Sequence, residues 1–161
     1  MLNRDLDAAS FRSLMSGWIT GVAIITTVHD GRHFGIVCNS LTSVSLDPIL
    51  VSWCIDRNAG SCPHWVATKE WAVHVLRSDQ EALVRRFLAK GIDRFAGLDF
   101  TESEHGLPLL ADVASVFIAR TTDRHDAGDH VILVGEVTSY QDHIATPLTF
   151  IRGKFRPGPT P

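Results

Sequence analysis

Five hydrogen-bonding side chains, Asn39, Ser40, Thr42, Ser43 and Ser45, are interleaved with Val37, Leu41, Val44 and Leu46, and Asp47-Pro48 closes the run before Ile49-Leu50-Val51. Polar groups between apolar ones suit a half-buried strand that packs one face and leaves the other free for hydrogen bonds. A planar heterocycle with polar edges needs such a surface, apolar beneath its rings and donors at its rim. An edge strand with a serine-rich outer face has the same pattern, because periodicity names no ligand. Asn58, Gly60 and Ser61 follow in a turn before Cys62 and Pro63. Proline fits only the first turn of a helix, so Ser61 reads as an N-cap, and the exposed N–H groups there suit a phosphate. Far downstream, His130 stands behind Gly128 and Asp129 at the entry of a strand. A loop there presents the imidazole to a pocket rim. Asp129 either orients the ring or caps the turn, and a strand-terminal histidine satisfied by backbone is the plain alternative.

The elements that must carry these groups are short. Asp5 to Met15 reads as an amphipathic helix, with Phe11, Leu14 and Met15 on one side and Gly17 past its end. Val22 to Val28 is β-branched, and Asp30-Gly31 turns it tightly into His33 to Val37. Trp71 to Leu76 alternates as a strand. Ser78 and Glu81 match a capping box opening a helix through Ala89, with Leu83, Val84, Phe87 and Leu88 apolar, Arg85 and Arg86 polar, and Gly91 as the stop. Phe100 to Leu110 reads as a loop. Ala114 to Thr122 and Val131 to Tyr140 read as strands bracketing a loop from Arg124 to His130, and Thr149 to Phe155 as a last strand. About eight strands with short connections favour an antiparallel Greek-key barrel over a parallel sheet. The prolines of 157–161 predict a loose tail.

Composition excludes several classes. The 161 residues are 45% hydrophobic and 20% charged, which predicts one globular domain. A net charge of −3, with no dense Lys/Arg block, lacks the footprint of nucleic-acid binding. No apolar run approaches a membrane span, and the N-terminal residues resemble no leader, so a cytoplasmic protein is expected. Cys38, Cys54 and Cys62 are an odd set without CxxC spacing and read as buried, inert thiols rather than a disulfide framework. His125 and His130 have no third ligand arranged with them, so no metal site is expected. No G-x-S-x-G and no G-x-G-x-x-G is present.

Taken jointly, TGVAIITT (Thr20 to Thr27), NSLTSVSLDP (Asn39 to Pro48) and Gly128-Asp129-His130 resemble the flavin reductase family, over about residues 11–156. That resemblance implies a mainly β split barrel with a few short flanking helices, pairing as a homodimer with flavin sites at or near the interface. It implies hydride transfer from NADH or NADPH to FMN or FAD, supplying reduced flavin to a partner monooxygenase. Val37, Cys38, Asn39, Ser40, Leu41, Ser43, Ser45 and Cys54 would line the flavin pocket. Asn58, Gly60 and Ser61 would hold its phosphate. Phe87 would pack near the flavin, Lys90 and Arg94 would offer charge to the phosphates, and Gly128, Asp129 and His130 would lie by the nicotinamide. The sequence departs from the family at Ile36, at Cys38 and at Ile49, where a second proline is usual. A flavin-binding module without turnover, and a flavoenzyme that keeps its flavin and acts on an organic substrate, are the competing functions.

Overall fold

The computed structural model describes residues 7–161. Its elements run α1 (Ala8–Met15), β1 (Thr20–Gly21), β2 (Ala23–His29), β3 (Arg32–Cys38), β4 (Thr42–Leu46), β5 (Ile49–Asp56), α2 (Cys62–Ala67) and β6 (Glu70–Val75). They continue with α3 (Glu81–Leu88), β7 (Phe100–Glu102), β8 (Pro108–Leu110), β9 (Ser115–Ala127), β10 (His130–Asp142), β11 (Leu148–Ile151) and β12 (Lys154–Pro157). No described helix is long and apolar enough to cross a membrane.

Seven strands pair in the order β3-β2-β6-β9-β10-β5-β4, and every pairing is antiparallel. The β2–β3 turn has Asp30 at φ 50° and Gly31 at φ 70°, the two left-handed residues that a tight hairpin of this hand requires. Ile25, Trp53, Ile55, Trp71, Val73, Ala119, Val131 and Leu133 come from five strands and meet in one buried cluster, the barrel interior. The intervening residues face the other way. Ile24 and Val22 pack with Val84, Phe87, Phe95, Leu110 and Leu148 in a second core beneath α3. Because β2 is covered on both sides, five successive residues of it are buried. The same holds for β6, where Trp71 to His74 are all buried instead of alternating with exposed positions.

His74 is fully buried and braces three strands. Leu110 N donates to its Nε2 at 3.1 Å, so Nδ1 carries the proton and donates to Ile24 O at 3.0 Å. Burial pushes its pKa down to about 4, and the hydrogen bond to Ile24 opposes that only in part. The unfolded chain takes up this proton near the ordinary histidine value, the folded chain only near 4. The contribution is therefore intact above about pH 6.5 and is lost as pH falls through the window down to 4, roughly 3 kcal/mol in all. Urea unfolding at pH 7 and pH 4.5 should show this loss, and His74→Gln should flatten it.

Several connections differ from the expectations above. Phe100 to Leu110 is not a plain loop, because β7 and β8 form a small hairpin that caps the barrel side. Arg124 to Ala127 continue β9 rather than forming a loop, and a turn of Gly128 and Asp129 alone joins two strands of 13 residues each. Thr149 to Phe155 is split by Arg152 and Gly153, both at positive φ, into the β11–β12 hairpin. Pro157 belongs to β12, and Gly158 N donates to Pro147 O at 2.7 Å, so the tail is held that far. Asp5 and Leu6 lie outside the described residues; α1 is capped by Asp7, whose carboxylate accepts from Ala9 N and Ser10 N. Ser78 does not cap α3. Its N–H instead donates to Thr146 O, and Gln80 holds the N-cap position without a side-chain capping bond. Leu88 is exposed rather than part of the apolar face.

Candidate active site

The split in the barrel lies where β3 leaves the ladder and the chain crosses to β4 and β5. There Cys54 N donates to Ser40 Oγ at 3.0 Å, and Cys38 Sγ lies 3.4 Å from the same oxygen. The Ser40 hydroxyl thus clasps the end of β3 to β5. Ser40→Ala removes the acceptor and hands the exposed Cys54 N–H to water, a cost of about 1 kcal/mol that chemical denaturation of the two proteins should show.

Register decides what faces outward from β5 and β10. Cys54 pairs with Ile132 and Asp56 with His130, while Trp53, Ile55, Val131 and Leu133 turn into the barrel. Cys54, Asp56 and His130 therefore share the outer face. β4 behaves differently from its pattern. Val44 and Leu46 are exposed, because β4 ends the ladder and no described residue covers it. An irregularity between Ser43 and Ser45 sets them opposite Val51 and Leu50, adjacent positions of β5, so the two serines do not share one face.

At the hairpin tip, Gly128 has φ 63° and His130 Nδ1 lies 2.8 Å from Asp129 Oδ1. The hydrogen bond to His130, followed by its charge, holds the Asp129 carboxyl below the usual carboxylate range. Arg57 reaches over from the end of β5. Its N–H donates to Asp129 O at 3.0 Å, its Nε donates to Gly128 O at 3.2 Å, and its Nη2 pairs with Asp126. Asn58 begins the following turn with its N–H on Asp56 Oδ1 at 2.8 Å. Ser61 stands at the N-cap position of α2 in helical backbone, φ −90° and ψ −4°, so its hydroxyl makes no cap bond. It accepts from Trp65 Nε1 at 3.2 Å instead.

Two cavities flank this region. The first, about 590 Å3, is lined by Arg32, His33, Phe34, Gly35, Ser61 and, from the loop after α3, Gly91 to Phe95. Arg94 is fixed there by bonds from Nη1 to Gly35 O at 2.9 Å and from Nε to Ala89 O at 3.2 Å. Arg86 Nε donates to Arg94 O at 2.6 Å and holds the same loop. The second cavity, about 570 Å3, is lined by Met15, Trp18, Ile19, Thr20, Asn39, Ser40, Leu41, Thr42 and Phe150. Thr20 Oγ1 is buried there with no hydrogen-bond partner among the described residues. A smaller space of about 70 Å3 beside it touches Cys38, Asn39 and Leu41.

The residues singled out by sequence therefore divide. Ser61 and Arg94 meet across the first cavity, and Asn39, Ser40 and Leu41 line the second. Cys54, Gly128, Asp129 and His130 belong to the outer face and tip between β5 and β10. Phe87 does not reach this surface. It is buried in the second core, with a centroid 5.3 Å from that of Phe95, and Val37 packs into the same core. Lys90 is exposed and lines neither cavity. Burial raises the pKa of the Cys38 thiol, which keeps it neutral and unreactive. Sequence reasoning missed Arg32, Phe34, Arg57, Trp18 and Thr20. The first two sit beside a hairpin turn and carry no motif, and only the fold brings them to Ser61. No group of three or more His, Cys, Asp or Glu among the described residues is arranged to hold a metal ion.

Cationic side chains, a hydroxyl and aromatic walls in a cavity of this size fit a heteroaromatic ligand bearing phosphate. The unpartnered Thr20 hydroxyl adds a buried polar group that a ligand with ring heteroatoms would satisfy.

Residues 15–159 match the family described as flavin reductase like domain. The chain is 36% identical over 149 residues to the FMN reductase (NADH) SmoA of Agrobacterium fabrum, covering 92% of this chain and 85% of that protein. It is 34% identical over 157 residues to HsaB of Mycobacterium tuberculosis, the reductase subunit of a flavin-dependent monooxygenase, covering 96% and 84%. Among solved structures, the Streptomyces globisporus C-1027 NADH:FAD oxidoreductase SgcE6, in complex with NAD and FAD fragments, is similar at a TM-score of 0.90 and 31% identity. That match covers 97% of this chain and 95% of that one.

Proposed function

The chain belongs to the flavin reductase like family, and from that premise we infer that it is an NAD(P)H:flavin oxidoreductase supplying reduced flavin to a partner monooxygenase. The match over residues 15–159 carries this reading. A flavin, FMN or FAD, accepts the hydride of NADH or NADPH and leaves reduced. The protein contributes no nucleophile; its work is to hold two rings in contact and exclude competing geometries.

We assign the phosphate of the flavin to the first cavity, between Ser61, at the end of the turn carrying Asn58 and Gly60, on one side and Arg94 and Arg32 on the other. The Arg94 guanidinium is already oriented by two carbonyls, so little ordering is lost when it meets an anion. Asn39, Leu41 and Thr42 supply the polar and apolar contacts to the ring system, with Thr20 as a further donor. His130 hydrogen-bonds the nicotinamide, and Asp129 orients the imidazole. A homodimer accords with the exposed apolar groups Phe11, Leu14, Trp18, Ile19, Val44 and Leu46, a larger set than a monomer normally leaves in water. Three free cysteines accord with the cytoplasm, where reduced nicotinamide is made.

The test is oxidation of NADH and of NADPH by the purified protein, each with FMN, with FAD and with no flavin added. Turnover only with added flavin is expected and ranks both pairs of cofactors. Flavin binding without turnover under any pairing overturns the reductase reading. Sedimentation of the same protein at micromolar concentration should give twice the chain mass.

A further inference from the structure

The hairpin tip before His130 extends past the core, whose last residue on β10 is Val131. Residues 122 to 129 are all exposed, and pairing between β10 and β5 ends at His130 opposite Asp56. A turn at the end of two 13-residue strands, with solvent on most sides, frays unless something beyond the ladder holds it. Arg57 does so through three bonds in a row: its N–H to Asp129 O, its Nε to Gly128 O and its Nη2 to Asp126. Its chain neighbour Asn58 opens the turn that reaches Ser61, and Asn58 N is itself tied to Asp56. One residue, by its backbone N–H and its guanidinium, therefore fastens the His130 tip to the start of the Asn58–Ser61 turn, although the two segments are far apart in sequence.

We propose that Arg57 is a positioning residue for the nicotinamide: it sets Asp129, and through Asp129 the His130 imidazole, relative to the turn assigned to the flavin phosphate. The inference rests on the site reading above. Arg57 touches neither ligand. Its side chain acts by holding the residues before Asp129, Nε on Gly128 O at 3.2 Å and Nη2 on Asp126, while the Asp129 carboxylate lies 2.8 Å from His130 Nδ1. Methionine at 57 keeps the backbone bond and the stem but releases Gly128 O and Asp126. The imidazole then samples more orientations, and part of the binding of the nicotinamide is spent on ordering it.

The experiment compares wild type, Arg57→Met, Asp126→Asn, His130→Ala and the Arg57→Met/His130→Ala double variant, all loaded with FMN. Steady-state NADH oxidation is measured beside NAD+ binding by calorimetry and FMN binding by fluorescence. Arg57→Met is expected to raise the KM for NADH and the Kd for NAD+ about fivefold, the scale of an exposed charge-assisted contact, with kcat and FMN affinity unchanged. Asp126→Asn should move both constants the same way by less. In the His130→Ala background the Arg57 substitution should add nothing, because the group it places is gone. An equal effect in both backgrounds, or a fall in FMN affinity matching the rise in KM, overturns the inference. A normal His130→Ala deficit with unchanged Arg57→Met kinetics also overturns it while leaving the site reading standing. Wild-type nicotinamide kinetics in His130→Ala would overturn both.

Discussion

Gly35→Ala is expected to destabilise the protein by about 3 kcal/mol, because overpacking of a filled core has nowhere to relax. A Cβ at this position on β3 would stand 2.2 Å from Phe87 Cε1 and 2.7 Å from Cδ1, with Phe95 Cζ at 3.2 Å. Phe87 is 1% exposed and wedged against Phe95, so the ring has no free rotamer to move into. Either β3 lifts or α3 shifts outward. Both movements reach the first cavity, since Gly35 O holds Arg94 and the loop after α3 supplies its far wall. Flavin affinity should fall together with stability. Denaturant titration checks the first effect and FMN fluorescence the second. The cause is tested by Phe87→Leu, which alone leaves a cavity and destabilises, but which should recover part of the loss when combined with Gly35→Ala. Purely additive losses would show that the ring is not the obstacle.

His130→Ala is expected to lower kcat/KM for reduced nicotinamide about 30-fold, the loss of a hydrogen bond from a charge-assisted pair made to the reacting partner. FMN affinity should stay within about twofold, because the first cavity and the Asn39–Thr42 wall are built from other strands. Asp129→Asn should give an intermediate deficit. The amide still accepts a hydrogen bond from Nδ1 but no longer carries the charge that pairs with the imidazole. Steady-state rates with NADH varied at saturating FMN, beside FMN titration of the free protein, separate the two ligands. Parallel losses of both affinities would remove His130 from the nicotinamide site and return it to a structural role at the hairpin tip.

Much of this arrangement was legible in the chain. The β-branched run before Asp30-Gly31 predicts the β2–β3 hairpin, and positive φ at both turn residues is what that dipeptide tolerates without strain. Gly91 does not itself stop α3, which ends at Leu88 where Ala89 turns to extended backbone; the glycine takes φ 74° in the loop beyond. The mainly antiparallel β class follows from short strands and short connections. The order of the three motif segments identifies the family without tertiary information.

The failures share one cause, which is that local pattern cannot see what covers a face. The alternation of β4 predicts a packed side, but the strand ends the ladder and its apolar residues meet solvent. Trp71 to His74 looks half-buried, yet the barrel interior takes one face and β8 the other, so His74 is buried and neutral. Ser61 and Ser78 have the composition of caps. A tryptophan indole claims the first, and the second is drawn to Thr146 O by a segment far along the chain. Phe87 is buried in the core, where the missing side chain at Gly35 makes room for it.

The sequence by itself determined the β2–β3 hairpin, most of the central strands, the antiparallel class and the family, because each depends on residues close in the chain or on motifs kept in order. Tertiary structure alone decided which hydroxyls are spent as clasps, which charges meet across a cavity and what holds His130 in place. Those outcomes depend on contacts such as Ser40 with Cys54, Arg94 with Gly35 and Arg57 with Gly128. The partners lie far apart along the chain, and only strand register brings them within reach.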